Sequence, residues 1–331
     1  MRPAVKVNAI PGGVDSLFIR YHVRTYGNRR ARLLGNDRCP KTSRNWSARC
    51  EQLLQQKESR VNSVARLRYE LANRAQTYAW TRSLPHCLSY GETPVVCFEA
   101  FGESLHGNFH PASYKAIRAN SEWCQRLDKV HTTAKRILPS ADRITWRELD
   151  SCMSSDALLM NVFCHPGVLR SARVATTLGV EMKPVPRFGF RPRVPLENNR
   201  FDRTEVDMRM QDLLVEAKLT ESDFQRARSA SLLRYRDFLK VFDSDRLPKA
   251  GDYYKSYQLI RNVLAAYAGQ SSFCVLLDVR RPDLIEAWYA VMKCVKVIDL
   301  RTACKVLTWQ ELTQVLPASL QAFLAAKYGI E

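Results

Sequence analysis

The chain has 331 residues, and its 51 Lys and Arg outnumber its 33 Asp and Glu, which gives a formal net charge of +18. Hydrophobic residues make up 46% of it, enough for at least one full core, which excludes wholesale disorder, collagen and coiled coil. No stretch approaches the roughly 20 apolar residues that span a bilayer, and the first 28 residues lack the apolar segment of a secretory signal. We therefore expect a soluble cytoplasmic protein.

The first 50 residues hold half of the net charge, because 11 Lys and Arg stand there against only Asp15 and Asp37. Such a segment is typical of an arm that neutralises phosphates, of an Arg-rich targeting peptide, or of translation from a start codon placed too early. We predict a basic, poorly ordered tail over 1–50, a mostly helical region over 51–145 and a second domain over 146–331.

In the first half, apolar residues at a spacing of three to four predict a long helix over 51–81. The glycines and prolines of 84–113 predict a loop-rich stretch with one short strand over 94–101. A second helix is predicted over 113–138, where Pro139 ends it.

The ten cysteines are scattered and form no CxxC pair, which is typical of reduced core cysteines. The nearest approach to a zinc ligand set is Cys87, Cys97, His106 and His110. The alternative is that these four side chains pack in a loop-rich region and hold no metal.

In the second half, Ser154 and Ser155 stand where they can cap a short helix that closes before Pro166. The elements predicted after it are strands over 188–197, 204–210 and 213–220, helices over 222–241 and 252–268, a buried strand over 273–279, a helix over 282–293, strands near 295–299 and 305–308, and a helical end. Strands that first pair and then alternate with helices predict an α/β fold with a mixed sheet covered by helices on both faces.

Two strands joined by Gln211-Asp212 carry the most informative chemistry. If these two residues form the turn, the antiparallel register places Asp207 directly opposite Glu216. Two carboxylates about 5 Å apart repel each other, and a divalent cation with oxygen ligands compensates that repulsion. Lys218 points the same way as Glu216, where its ammonium can orient an attacking water or neutralise charge on a phosphate.

An alternative stays open for the same hairpin. Its register also places Glu205 opposite Lys218, so that the charges can form a plain cross-strand ion pair, and Gln-Asp is not a residue pair that tight hairpins prefer. A second basic stretch over 166–203 indicates a polyanionic partner such as nucleic acid, or else an ordinary solvated basic surface.

An Asp in one strand and Glu-x-Lys in the next, within a strand-strand-strand-helix order, resembles the PD-(D/E)xK nuclease superfamily, which has the restriction-endonuclease-like fold. The resemblance covers about 146–296. The segments 154–158, 161–163, 216–221 and 257–262 are similar to a bacterial subfamily of predicted nucleases within it. Val206 replaces the literal Pro of the motif, and Asn262 stands where RecB-like members carry a Tyr.

The resemblance implies a metal-dependent nuclease that hydrolyses DNA phosphodiester bonds. Asp207 and Glu216 would bind Mg²⁺ or Mn²⁺ together with the carbonyl of Ala217. Lys218 would position the attacking hydroxide, and Gln258 would be a further polar group of the catalytic site.

Arg261 lies three positions after Gln258 on the same predicted helix, where it can face the same cleft and bind a phosphate. The alternative is that Gln258, Arg261 and Asn262 form an ordinary polar helix face. By the resemblance, Glu148 or Asp156 would supply an additional upstream acid. A catalytically inactive nucleic-acid-binding protein on the same fold is the alternative function, and a structural protein held by zinc at Cys87 and Cys97 is a third. RNA as the substrate and a homodimer as the working form stay open, whereas no membrane partner is expected.

Overall fold

The computed structural model describes residues 44–89, 95–102, 104–129 and 147–331, and for 44–62 it describes the backbone only. Nearly all of the predicted basic tail therefore lies outside the described residues. Contacts divide the chain into the units Met1–Arg49 and Cys50–Glu331, and the fold below is that of the second unit.

The α-helices in chain order are α1 Arg44–Thr81, α2 Pro111–Ala119, α3 Ser121–Arg126, α4 Ser155–Phe163, α5 Pro166–Leu169, α6 Ala172–Leu178, α7 Ser229–Leu232, α8 Phe238–Val241, α9 Tyr257–Gly269, α10 Pro282–Met292, α11 Ile298–Thr302, α12 Trp309–Thr313 and α13 Ala318–Tyr328. The strands are β1 His86–Leu88, β2 Val96–Phe98, β3 Ala100–Phe101, β4 Leu105–His106, β5 Pro186–Phe190, β6 Val194–Pro195, β7 Phe201–Asp202, β8 Val206–Met210, β9 Leu213–Ala217, β10 Arg226–Arg228, β11 Lys249–Ala250, β12 Tyr253–Lys255, β13 Ser272–Leu277 and β14 Cys304–Thr308.

Five strands form the central sheet in the order β14-β13-β9-β8-β5. Strands β5, β8 and β9 pair antiparallel, whereas β9, β13 and β14 pair parallel. This confirms the predicted α/β fold with a mixed sheet. Within the described residues, no helix is long and apolar enough to cross a membrane.

A hydrophobic core lies on each face of this sheet, because neighbouring residues of a strand point to opposite faces. Along β13, Cys274 and Leu276 belong to one core, and Phe273 and Val275 belong to the other. Such a strand is buried on both sides and reads as a continuous apolar run.

Helix α1 packs into the first of these cores together with the end of the chain. Leu71 and Tyr78 of α1 share it with Phe323 and Ile330, and the rings of Tyr78 and Phe323 meet edge to face at 5.7 Å. Two segments far apart in sequence thus cover the same face of the sheet.

The hairpin of β8 and β9 has the predicted register. Met208 lies opposite Val215 and Met210 opposite Leu213, with a turn at Gln211 and Asp212. The register is strongly specified because a slip by one residue would turn the buried side chains of each strand to the other face.

Some of the other helices and strands agree with the sequence prediction, and others differ from it. Ser154 caps α4 by accepting a hydrogen bond from the backbone N–H of Ala157. The helix predicted over 113–138 is two helices within its described part, because Asn120 has an extended backbone and its side chain caps α3.

The helix predicted over 222–241 is wrong. Gln225 has a left-handed backbone with φ of 61°, and the chain then forms β10, α7 and α8. The helix predicted over 252–268 begins only at Tyr257, because Ser256 is also left-handed with φ of 59°. The strand predicted near 295–299 is wrong too, since α11 begins there at Ile298.

Candidate active site

The carboxyl end of β9 brings the predicted acids together. Asp207 on β8 is partly exposed, and its Oδ2 accepts a hydrogen bond of 2.7 Å from the backbone N–H of Ala217. Glu216 is the preceding residue of β9 and is only 2% exposed. The carboxylate of Asp207 therefore lies at the end of β9, beside the carboxylate of Glu216.

Both carboxylate oxygens of Glu216 are held by protein donors. Oε1 lies 2.7 Å from Nζ of Lys218, and Oε2 accepts a hydrogen bond of 2.8 Å from Nδ2 of Asn262 on α9. The expected alternative pair of Glu205 with Lys218 is absent from the described residues, where Glu205 binds Arg126 at 2.9 Å. A buried carboxylate is tolerated only with such partners, since unpaired it would cost several kcal/mol.

The pKa values of both Asp207 and Lys218 are raised, and the causes differ for the acid and the amine. Burial, followed by the negative charge of Glu216, raises the pKa of Asp207 well above its ordinary value. Burial disfavours the charged form of Lys218, but the carboxylates of Glu216, Glu221 and Asp207 outweigh it and raise the pKa of that lysine. Lys218 is therefore an ammonium at neutral pH.

Helix α9 contributes two amide side chains. It leads into β13, which runs parallel to β9, so α9 runs antiparallel to β9 and its first turn lies towards the carboxyl end of β9. Gln258 is one turn from Asn262 in that direction, and its backbone N–H donates to the carbonyl of Phe224. Oε1 of Gln258 and Oδ1 of Asn262 are buried oxygens without a hydrogen-bond donor among the described residues.

Arg261 does not lie where a phosphate contact was expected. It is 2% exposed and donates to the carbonyls of Thr204 at 2.7 Å and Glu205 at 2.6 Å. These contacts anchor the chain that enters β8, so the side chain positions the strand of Asp207.

The two candidate upstream acids lie together. Asp156 of α4 binds Arg126 at 2.9 Å and Lys129 at 2.8 Å, and Glu148 binds the same lysine at 3.1 Å. The charge of Asp156 is also one of the causes that raise the pKa of Asp207. Of the two acids, Asp156 is therefore the one that interacts electrostatically with Asp207.

A buried arginine that sequence reasoning missed fixes the loop after Lys218. Arg281 is fully buried and donates to the carbonyls of Glu221 at 2.7 Å and Ser222 at 3.2 Å, while Asp283 binds it at 2.8 Å. No sequence signal pointed to this contact, because about 60 residues separate the partners.

The zinc hypothesis finds no support in the described part of the chain, where no three His, Cys, Asp or Glu side chains are grouped to hold a metal. Cys87 lies opposite Cys97 in the β1–β2 pair, but His106 binds Asp150 at 3.1 Å and His110 caps α2. The two histidines therefore have structural partners.

Asp207 and Glu216 fit a hard divalent cation such as Mg²⁺ better than the cysteine and histidine set fits zinc. Their charges repel, and carboxylate and amide oxygens are the ligands that Mg²⁺ takes. Two carboxylates fill only part of an octahedral shell, so the other positions would go to waters, a backbone carbonyl or a substrate phosphate.

A family model described as "Restriction Endonuclease associating with ARP" matches residues 73–329. No curated protein and no solved structure matches the chain. The matched residues run from within α1 to the end of α13 and include the whole candidate site.

Proposed function

The chain belongs to the family of restriction endonucleases associating with ARP, and from this premise we propose that it is a Mg²⁺-dependent nuclease that hydrolyses DNA phosphodiester bonds. The observation that carries the proposal is the meeting of Asp207, Glu216 and Lys218 at the end of β9. Membership of the PD-(D/E)xK superfamily is part of the same proposal.

Two acids would hold the metal in this proposal, and both are fixed before it binds. The backbone N–H of Ala217 orients Asp207, and Asn262 orients Glu216. Mg²⁺ or Mn²⁺ would neutralise phosphate charge and lower the pKa of the attacking water. Ligands held by their own hydrogen bonds need little rearrangement, which favours precise geometry at the phosphorus.

Lys218 supplies positive charge beside the acids. Because its pKa is raised, the ammonium cannot take the proton of the attacking water, and that proton must go to solvent or to substrate. The side chain would instead orient the attacking oxygen and stabilise charge on the phosphoryl oxygens while the bond to the leaving sugar oxygen breaks.

One observation favours the second candidate, a nucleic-acid-binding protein that has lost turnover. Both oxygens of Glu216 already have protein donors, in Lys218 and Asn262, as they would in an acid that binds no metal. This candidate predicts DNA binding that weakens with salt and no metal-dependent cleavage.

The test is cleavage of supercoiled plasmid, linear duplex and single-stranded RNA with Mg²⁺ or Mn²⁺. We expect Asp207→Ala and Lys218→Ala to lower the rate by about 100-fold or more. Asp212→Ala, in the turn of the same hairpin, is the matched control and should keep the activity. A rate that rises with the square of protein concentration would indicate a dimer.

The outcomes separate the candidates. Cleavage that survives both Asp207→Ala and Lys218→Ala would reject this site. DNA binding without cleavage by the unaltered protein would favour the inactive binder. Calorimetric titration with Mg²⁺ of the unaltered protein beside Glu216→Gln tests the metal before any substrate is known, and equal heats would reject the metal site.

A further inference from the structure

A small three-stranded sheet in the order β10-β12-β11 adjoins the candidate active site. Strand β10 follows Phe224, whose ring centre lies 5.8 Å from Nζ of Lys218 and whose carbonyl accepts from the backbone N–H of Gln258. Strand β12 leads through Ser256 directly into α9. The chain thus joins this sheet to the residues around Lys218 on one side and Gln258 on the other.

The two faces of the small sheet differ in character. In the β10–β12 pair, Arg226 lies opposite Lys255 and Arg228 opposite Tyr253, and all four are exposed. The intervening Tyr254 is 3% exposed and belongs to the hydrophobic core. Because side chains alternate between faces, the outer face presents three cations and one aromatic ring.

Two of these cations face each other without an acid. Arg226 and Lys255 are direct cross-strand partners, and in the described part of the chain neither forms an ion pair. Like charges in that position destabilise a sheet. An anion bound between them would remove the repulsion.

A cavity of about 590 Å³ opens beside the pair. Arg226 and Lys255 line it together with Arg68 of α1. It also contains Asp223 and Asp283, and Asp283 is paired with the buried Arg281, so the three cations outnumber the acids that could balance them. The charge left to attract a ligand is therefore positive.

We propose that the outer face of this sheet binds the phosphodiester backbone of the nucleic acid whose scissile bond lies at the candidate active site. Arg226 and Lys255 contact phosphates, and Arg228 holds the exposed ring of Tyr253 by a hydrogen bond of 3.1 Å to its hydroxyl, so that the ring packs on a sugar or base. The proposal rests on the proposed function, since it places the substrate of the same site.

The experiment measures binding of the full-length chain to a fluorescein-labelled 20-base-pair duplex at several salt concentrations, without divalent ions. The Arg226→Ala/Lys255→Ala double variant should lower the slope of log affinity against log salt by about 2 and raise Kd about tenfold at 150 mM salt. The matched control is Lys293→Ala/Arg301→Ala, which removes the same charge from exposed residues at the end of α10 and within α11, outside the small sheet.

A second variant separates binding from folding. Lys255→Glu places an acid opposite Arg226, so it should raise the melting temperature while it weakens duplex binding. An unchanged salt slope in the Ala double variant, with binding by the unaltered protein intact, overturns this inference and leaves the nuclease proposal standing. Equal losses in the control overturn it as well, because net charge alone would then explain them. Failure of the unaltered protein to bind or cleave any nucleic acid overturns both.

Discussion

The carboxylate of Asp207 opposes folding, and replacing it with an isosteric amide should therefore stabilise the protein. Asp207→Asn keeps an oxygen that accepts from the backbone N–H of Ala217 and removes a negative charge beside Glu216. We predict that the variant is more stable than the unaltered protein at neutral pH in the absence of divalent ions, although it lacks a group proposed for catalysis.

The expected gain can be worked from the geometry. Two unit charges about 5 Å apart repel by roughly 3 kcal/mol at an effective dielectric constant of about 20. The ammonium of Lys218 lies 2.7 Å from Glu216 and offsets much of this, and Asp207 is partly exposed to screening water. We therefore expect a gain of at least about 1 kcal/mol, which raises the melting temperature by about 2 °C or more in a domain of this size.

The gain depends on pH because the pKa of Asp207 is raised in the folded state. Below the ordinary aspartate pKa of about 3.9 the carboxyl is protonated both folded and unfolded, and the amide and acid forms should be equally stable. As the pH rises through the raised pKa, the unaltered protein loses stability relative to Asp207→Asn. The difference should be smallest near pH 4 and larger at pH 8.

Thermal melts followed by circular dichroism at pH 4, 6 and 8, with and without Mg²⁺, test this. At ten times its Kd, Mg²⁺ should stabilise the unaltered protein by about 1.4 kcal/mol and leave Asp207→Asn unmoved. Asp212→Asn, in the same hairpin, is the control and should follow the unaltered protein. A variant that melts at or below the unaltered protein at pH 8, or one that Mg²⁺ stabilises equally, would refute the reasoning.

Three further substitutions probe buried polar groups. Asn262→Leu leaves Oε2 of Glu216 without its donor and should lower the free energy of unfolding, measured in urea, by about 1–3 kcal/mol. Gln258→Leu removes an amide that makes no side-chain hydrogen bond among the described residues, so it should lower that free energy by less. Equal losses in the two variants would contradict the argument. Burial, with the nearby charges of His110 and Arg170, lowers the pKa of His165 to about 4, so the unaltered protein should lose stability as the pH falls from about 6.5 towards 4. His165→Asn keeps an acceptor for the backbone N–H of Gly167 and cannot titrate, so its unfolding free energy should fall less over that range; identical pH profiles would contradict this.

Local pattern was enough to predict the central hairpin. Apolar residues alternate with polar ones along β8, which places Met208 and Met210 on its buried face, and Val215 lies on the buried face of β9. Because one face must be buried, the register of the two strands is determined. The positions of Asp207 and Glu216 on neighbouring strands follow from that register, so the acids could be placed from sequence.

What the sequence could not supply are contacts between distant residues and unusual backbone. One of the two donors to Glu216, Asn262, lies 46 residues away in the chain. Arg261 binds the backbone carbonyls of Thr204 and Glu205, which lie 57 and 56 residues away. The left-handed backbone of Gln225 ends a stretch that reads as helical, and a non-glycine residue gives no signal for that conformation. The roles proposed for Lys218 and the metal ligands stay predictions.

The shared core of α1 and α13 has a consequence for synthesis. Leu71 and Tyr78 leave the ribosome early, but Phe323 and Ile330, which complete their surroundings, are added on the order of ten seconds or more later at about 5–20 residues per second. Through that interval the apolar side of α1 has water or a holding chaperone as its neighbour. The hydrophobic core shared by α1 and α13 is therefore completed late in synthesis, and the nascent chain is most prone to aggregation before that point.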